Sequence, residues 1–260
     1  MNIEDMANTR IVNNLKSGVA SARNLGASIS SSGKLIFVDD DMIITKEAIE
    51  NAISFLDTNK NCTYNANWDY EPTLLKQILS SRFGRFLVNN NFTSLKGWNH
   101  NTIQWKENSL IATPGITSQF WAINKKDFER LGGYNESFPY AGFEDYEIMM
   151  KMKKLGINNY IDTRVLIYHN ESDRVSPGNW LQRKKRGAKT RRVAVEMGFS
   201  ELELKYSKYK TFLLHLLSFA KPLIMSATRL IPPTPFFDPL YSRIIRLLIA
   251  INIFEGYYMK

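Results

Sequence analysis

The chain has 260 residues, 44% of them hydrophobic and 23% charged, which excludes a disordered segment and allows one large domain or a domain with an appendage. Its single cysteine, Cys62, excludes an internal disulfide and fits a reducing compartment. A net charge of +9 favours anionic partners, whether nucleotide, lipid or nucleic acid, and the excess is uneven, with seven basic residues in the ten from Arg183 to Arg192.

Met1 to Arg10 is polar and acidic and offers no apolar core for a secretory leader. Arg10 to Asn13 reads as a short strand. Ser17 to Ser28 reads as a helix, with Val19, Ala22 and Leu25 at helical spacing and Ser30-Ser31-Ser32-Gly33 closing it. Leu35 to Val38 has the length of a buried strand and ends abruptly in Asp39-Asp40-Asp41. Three adjacent carboxylates repel one another. In an α/β protein the carboxyl ends of strands are where ligands bind, and a hard divalent cation carrying a diphosphate would offset the charge. A solvated acidic turn is the other reading. Thr45 then caps a helix through Leu56, with Ile49, Ala52, Ile53 and Leu56 on one face. Helix, strand, acids and helix together point to an α/β unit with a parallel sheet.

Residues 59 to 112 are rich in Asn, Trp and Phe and poor in periodicity. They read either as cover for a substrate site or as loop and edge strand, with one helix around Pro72 to Phe86. Thr113-Pro114-Gly115 makes a turn, Ser118 to Ile123 a strand, and Asn124 caps a short helix ended by Gly132-Gly133. After a loop from Tyr134 to Gly142, Phe143-Glu144-Asp145-Tyr146 opens a helix that packs Ile148, Met149, Met152 and Leu155 and stops at Gly156. Tyr160 to Tyr168 reads as a strand that delivers His169 at its end.

From Trp180 the character changes, which divides the chain at 1–180 and 181–260. The basic run lies in a helix and precedes two apolar segments, Thr211 to Leu230 and Tyr241 to Phe254. Lys221 and Pro222 break the first and Arg243 and Arg246 flank the second, so neither offers the roughly 18 unbroken apolar residues of a spanning helix. Two amphipathic helices lying on an anionic membrane surface fit this pattern; a helical pair packed on the preceding domain or on another subunit is the alternative. Nucleic acid is the poorest partner, since no binding module surrounds the basic run and the acidic clusters oppose it.

Four stretches in order carry a resemblance. They are Ala22-Arg23-Asn24-Leu25-Gly26, Gly33 to Asp41, Ala122 to Glu136 with its Leu-Gly-Gly-Tyr-Asn-Glu end, and Phe143-Glu144-Asp145. Together they resemble the family 2 glycosyltransferases, inverting enzymes of the GT-A fold, over about Arg10 to Asn170. The resemblance implies a Rossmann-like mixed sheet flanked by helices, with a helical C-terminal tail. It implies that Asp39 and Asp40 contact the nucleotide sugar, that Asp41 ligates Mn²⁺ or Mg²⁺, and that Arg23 and Asn24 lie beside the nucleotide. Asp145 matches the general base, supported by Glu144, and His169 resembles a histidine that some members add to the metal shell. Arg174 and the basic run read either as a flexible loop that neutralises diphosphate or as simply solvated. Members begin with a nucleotide-binding strand some tens of residues before the Ala-Arg-Asn segment. Only about 20 residues precede it here, so an N-terminally truncated, weakly active chain is expected. The implied reaction moves a sugar from a nucleotide-diphosphate donor, a uridine diphosphate sugar in the first instance, to a glycan or lipid-linked acceptor. The implied setting is the cytoplasmic face of the plasma membrane, in envelope polysaccharide synthesis. A non-catalytic remnant or partner subunit is the alternative.

Overall fold

The computed structural model describes residues 9–99, 102–172 and 175–259; Arg174 lies outside them. Residues 10–13, expected as a strand, are irregular. The first element is helix α1 (Val19–Ile29), followed by strand β1 (Lys34–Val38), a short strand β2 (Met42–Ile43) and helix α2 (Lys46–Thr58). Thr45 caps α2 as expected, its hydroxyl accepting from the Ala48 N–H at 3.1 Å. The buried face of α2 is Ala48, Ala52, Phe55 and Leu56, whereas Ile53 is exposed. The face is turned so that the aromatic ring, not the isoleucine, enters the core.

Strand β3 (Cys62–Tyr70) follows, in the stretch where no element was legible. Two helices, α3 (Pro72–Leu79) and α4 (Arg82–Asn89), replace the single expected helix, because Ser81 starts a new one by accepting from the Gly84 N–H. A short turn of helix, α5 (Leu95–Trp98), precedes strands β4 (Leu110–Thr113) and β5 (Phe120–Asn124). Helix α6 (Lys125–Arg130) begins at Asn124, whose side chain makes no capping bond, and ends at Gly132 and Gly133, both at positive φ. Helix α7 (Glu144–Leu155) stops at Gly156 in the left-handed region and leads into strand β6 (Asn158–His169).

The strands form one mixed sheet in the order β1-β5-β3-β6-β2, with β4 also on β6. Among the described residues only β3 and β6 run parallel and the other pairings are antiparallel, so the parallel sheet read from the first elements is corrected, while the mixed sheet flanked by helices that the resemblance implies is present. Alternation on β1 and β5 divides the core. Phe120 and Ala122 pack with α2 on one face, while Leu35, Phe37, Trp121 and Ile123 pack with α1, α6 and α7 on the other. Burial of both faces by helices fixes the register, since a one-residue slip would exchange the two cores.

The C-terminal third is helical: α8 (Pro177–Glu196), α9 (Lys208–Leu230) and α10 (Asp238–Tyr258). The boundary expected at residue 180 falls inside α8, whose Trp180 and Leu181 are buried with Phe83, Phe86 and Tyr241. Helix α9 runs through Pro222 without breaking. Proline removes one backbone hydrogen bond from a helix, but Leu214 on one side of it and Thr228 on the other are both buried. By length and composition α9 is long and apolar enough to cross a membrane, contrary to the expectation from its sequence, and it is mostly exposed. Helix α10, by contrast, buries Ile245, Leu248, Ile251 and Phe254.

Candidate active site

Strand pairing assembles the site. The β1–β5 ladder ends at Val38 and Phe120, and the next residue, Asp39, donates its N–H to the Gln119 carbonyl at 3.3 Å. The side chain of Asp39 is thereby set beside Ser118 and Gln119. On the far side of the same turn, β2 pairs with β6 so that Met42 faces His169, and the Asn170 N–H donates to the Asp41 carbonyl at 2.8 Å. The triple-aspartate turn therefore bridges two parts of the sheet. Asp39 and Asp41 face inward and Asp40 is exposed at its corner, away from the residues that line the cleft. Asp40, expected to contact the nucleotide sugar, is the exposed one of the three.

Arg23, on the second turn of α1, draws the acidic groups together. Its Nη2 lies 2.8 Å from Asp39 Oδ1, and its Nη1 lies 3.5 Å from Glu144 Oε1 and 3.9 Å from Asp145 Oδ1. Beneath it sits the ring of Tyr134, 5.3 Å from the guanidinium carbon. Asn24 has a different place from the one expected: its amide donates to the Tyr134 carbonyl at 2.9 Å and to Glu136 at 3.0 Å, and its oxygen accepts from the Tyr134 N–H. It clamps the Gly132–Glu136 loop and does not line the cleft. Gly133 is required there, since a Cβ would stand 2.7 Å from the Asn24 oxygen at a φ of +67°.

Glu144 is buried and accepts from the Gly142 N–H at 2.5 Å. Asp145, at the N-terminal end of α7, accepts from the Ser118 hydroxyl and from its N–H. Burial, then the neighbouring Glu144 carboxylate, raises the Asp145 carboxyl to about 6, against the opposing pull of Arg23 and Ser118. A carboxylate of that affinity is ionised at neutral pH and takes a proton more readily than an ordinary one.

A second acidic group closes the other end. Asp41, His169 and Glu171 each present a ligand atom within 4.8 Å of the others. His169 Nε2 lies 3.2 Å from Asp41 Oδ2 and 3.8 Å from Glu171 Oε1, with its ring held edge-on between Trp68 and Tyr70. Glu171 accepts from the Tyr70 hydroxyl at 2.5 Å and from Arg183. Its burial works to raise the carboxyl, but Arg183, then His169 and Tyr70, outweigh it and hold Glu171 below the usual carboxylate range. Two carboxyl side chains and a histidine nitrogen on so small a spread fit Mn²⁺ or Mg²⁺ by donor type and reach. Asp41 and His169 were expected here and Glu171 was not. The signal was present: His169 and Glu171 are two residues apart at a strand end, a spacing that points both to one side.

Arg23, Asp39, Ser118, Glu144, Asp145, His169 and Glu171, but not Asp41, line one cleft of about 540 Å³, to which α8 contributes Arg183, Lys184, Gly187 and Arg191. Lys184 lies over the rings of Trp180, Phe92 and Trp98, at 4.5, 5.3 and 5.5 Å. Burial, then Arg183, lowers its ammonium to about 8. None of this part of the lining was placed by sequence beyond the basic run as a whole. A second hollow of similar volume, lined by Asn89, Asp238 and Arg243, holds none of these acids.

The chain was compared with known proteins. The profile of the glycosyltransferase-like family 2 matches residues 4–179. The chain belongs to that family. An uncharacterised glycosyltransferase of Haemophilus influenzae is 27% identical over 144 residues, 55% of this chain and 44% of the relative, so the chain spans under half of that protein's length. A crystal structure of GalNAc-T7 with UDP, GalNAc and Mn²⁺ aligns with a TM-score of 0.42 at 13% identity, over 58% of this chain and 30% of the other.

Proposed function

We propose that this glycosyltransferase moves a sugar from a nucleotide-diphosphate donor, a uridine diphosphate sugar in the first instance, to a hydroxyl of a glycan or lipid-linked acceptor, with inversion at the anomeric carbon. The observation that carries the reading is the bridging of Asp39 and the Glu144–Asp145 pair by one guanidinium in one cleft, with a metal-ligand set at its end. In this reading Asp145 accepts the proton of the acceptor hydroxyl as its oxygen attacks the anomeric carbon. Ser118 fixes the rotamer of that carboxylate through its hydroxyl and N–H. Asp39 accepts from the donor's ribose, and Arg23 holds Asp39 and Asp145 at a fixed separation. Asp41, His169 and Glu171 would hold the divalent cation, which when bound stabilises the departing diphosphate. Arg183 and Lys184 of α8 add positive charge to the lining of the cleft. The setting in this reading is the cytoplasmic side of the plasma membrane, in envelope polysaccharide synthesis, and the basic C-terminal helices support it.

The test is release of nucleoside diphosphate from labelled nucleotide sugars by the purified chain with Mn²⁺, and complementation in cells that lack the gene. Loss of both in Asp145→Asn supports the reading. Full complementation by Asp145→Asn would overturn it in favour of a non-catalytic partner subunit.

A further inference from the structure

The outer face of α9 is a second surface, apart from the cleft in which the transfer chemistry is read. Tyr209, Phe212, Leu216, Phe219, Leu223 and Leu230 recur at intervals of three, four and seven, so they lie along one side of the helix. Each is exposed, from 49% for Leu216 to 84% for Leu230. The stripe is about 32 Å long at the helical rise. Contiguous apolar surface on this scale marks an interaction site rather than a solvated face.

The inner side of α9 is already occupied. Leu214 is buried with Ile251 and Phe254 of α10, and Lys221 Nζ bonds to Asn252 and Glu255 of α10 at 2.9 and 2.8 Å. The two apolar segments of the tail are therefore unlike each other. Helix α10 is largely interior, and α9 alone offers an unpartnered face.

Charge decides what fits that face. Helix α9 contains no Asp or Glu, while Lys208 and Lys210 at its start and Arg229 at its end are exposed. A second copy of the chain would bring the same acid-free, cationic helix against itself without a countercharge. Crossing a bilayer would carry Lys221, Asn252 and Glu255 into hydrocarbon along with the α10 segment they join. A helix lying flat avoids both costs, because its paired side stays against the protein and its apolar side enters lipid.

We propose that α9 docks the protein on an anionic bilayer, with Phe212, Leu216, Phe219 and Leu223 among the acyl chains and Lys208, Lys210 and Arg229 at the phosphates. This deepens the membrane setting of the proposed function by naming the surface that makes the contact, and it is independent of the transfer chemistry. The experiment is sedimentation of the purified full chain with vesicles containing phosphatidylglycerol and with vesicles of phosphatidylcholine alone. The expected result is partitioning about tenfold or more stronger on the anionic vesicles, falling as salt is added. Phe219→Gln with Leu223→Gln is expected to reduce binding about tenfold or more, the loss of two buried apolar side chains, with an unchanged thermal melt since both residues face solvent. Lys208→Gln with Arg229→Gln is expected to remove the lipid preference and leave a weak, salt-insensitive association. Equal binding to both vesicle types overturns the proposal, as does absence of binding. Retention through alkaline carbonate would assign a spanning helix instead, and self-association abolished by the Gln pair without vesicle binding would assign a dimer face.

Discussion

Arg23 and Asp39, sixteen residues apart in sequence, meet at 2.8 Å in the cleft, and the same guanidinium reaches Asp145 at 3.9 Å. One cation thus sets both the distance between the two acidic groups and the proton affinity of one of them. Replacing it separates these effects.

Arg23→Gln removes a charge that holds the Asp145 carboxyl down, so its affinity for protons rises above the present value of about 6. A base works only when ionised, so the acid limb of the rate profile should move to higher pH. A titration of rate against pH that left this limb in place would show that Asp145 is not the base. Leaving three carboxylates without their shared partner should also cost about 3 kcal/mol of stability, read by urea unfolding.

Asp145→Asn tests the same group by two independent readouts. Turnover should fall by about 10² to 10⁴, with donor affinity retained. Stability should change in the opposite sense. A carboxyl raised in the folded state binds more protons folded than unfolded, so its ionisation opposes folding as pH rises from near 4 through about 6. The asparagine variant should gain melting temperature above pH 6 relative to the parent and gain nothing near pH 3. A flat difference across that range would mean that Asp145 carries no raised affinity.

Glu171→Gln should weaken Mn²⁺ binding about tenfold or more, as should Asp41→Asn, measured as free Mn²⁺ by electron spin resonance without any substrate. Asp40→Asn, at the exposed corner of the same turn, should leave Mn²⁺ binding unchanged. Equal losses in all three variants would point to bulk acidity rather than a site.

The first elements of this fold were legible from their apolar pattern. The helix capped by Thr45 shows a buried face against a solvated one, and Leu35 to Val38 is a short apolar run covered on both sides; α1 was found as a helix, but it buries Ala20, Ser21 and Ala27 rather than the expected Val19, Ala22 and Leu25. Strand β3 was not legible, although it too is central and both of its faces are covered. Its polar side chains are interior: Thr63 donates to Asn159 at 2.5 Å, and Asn65 donates to the carbonyls of Thr117 and Phe120 at 2.7 and 2.6 Å. A buried asparagine reads as a loop residue until its acceptors are known. The acidic ends of the site were legible for a related reason, since adjacent carboxylates need an external explanation. Asn24 was not, because its partners are backbone groups of Tyr134, 110 residues away.

Gly256 of α10 packs directly on α8, where an added Cβ would stand 2.1 Å from the Lys185 carbonyl and 2.9 Å from Ala188. Gly256→Ala should separate the two helices and cost about 1 to 3 kcal/mol. Because Lys184 and Gly187 line the cleft, donor affinity should fall as well, with the Asp145 titration undisturbed. Calorimetry and donor affinity measured on one preparation would check both parts.

The profile that defines the family stops at residue 179, three residues into α8, yet Arg183, Lys184, Gly187, Ala188, Arg191 and Ile253 line the same cleft as the acids, and Arg183 bonds Glu171 directly. Excising the matched span would leave the acidic residues on an open shelf, without the part of the cleft that α8 supplies. It also means that the lining of the cleft can change through the last 80 residues while the acidic groups and His169 stay as they are. Relatives that share the acidic signature need not share a substrate.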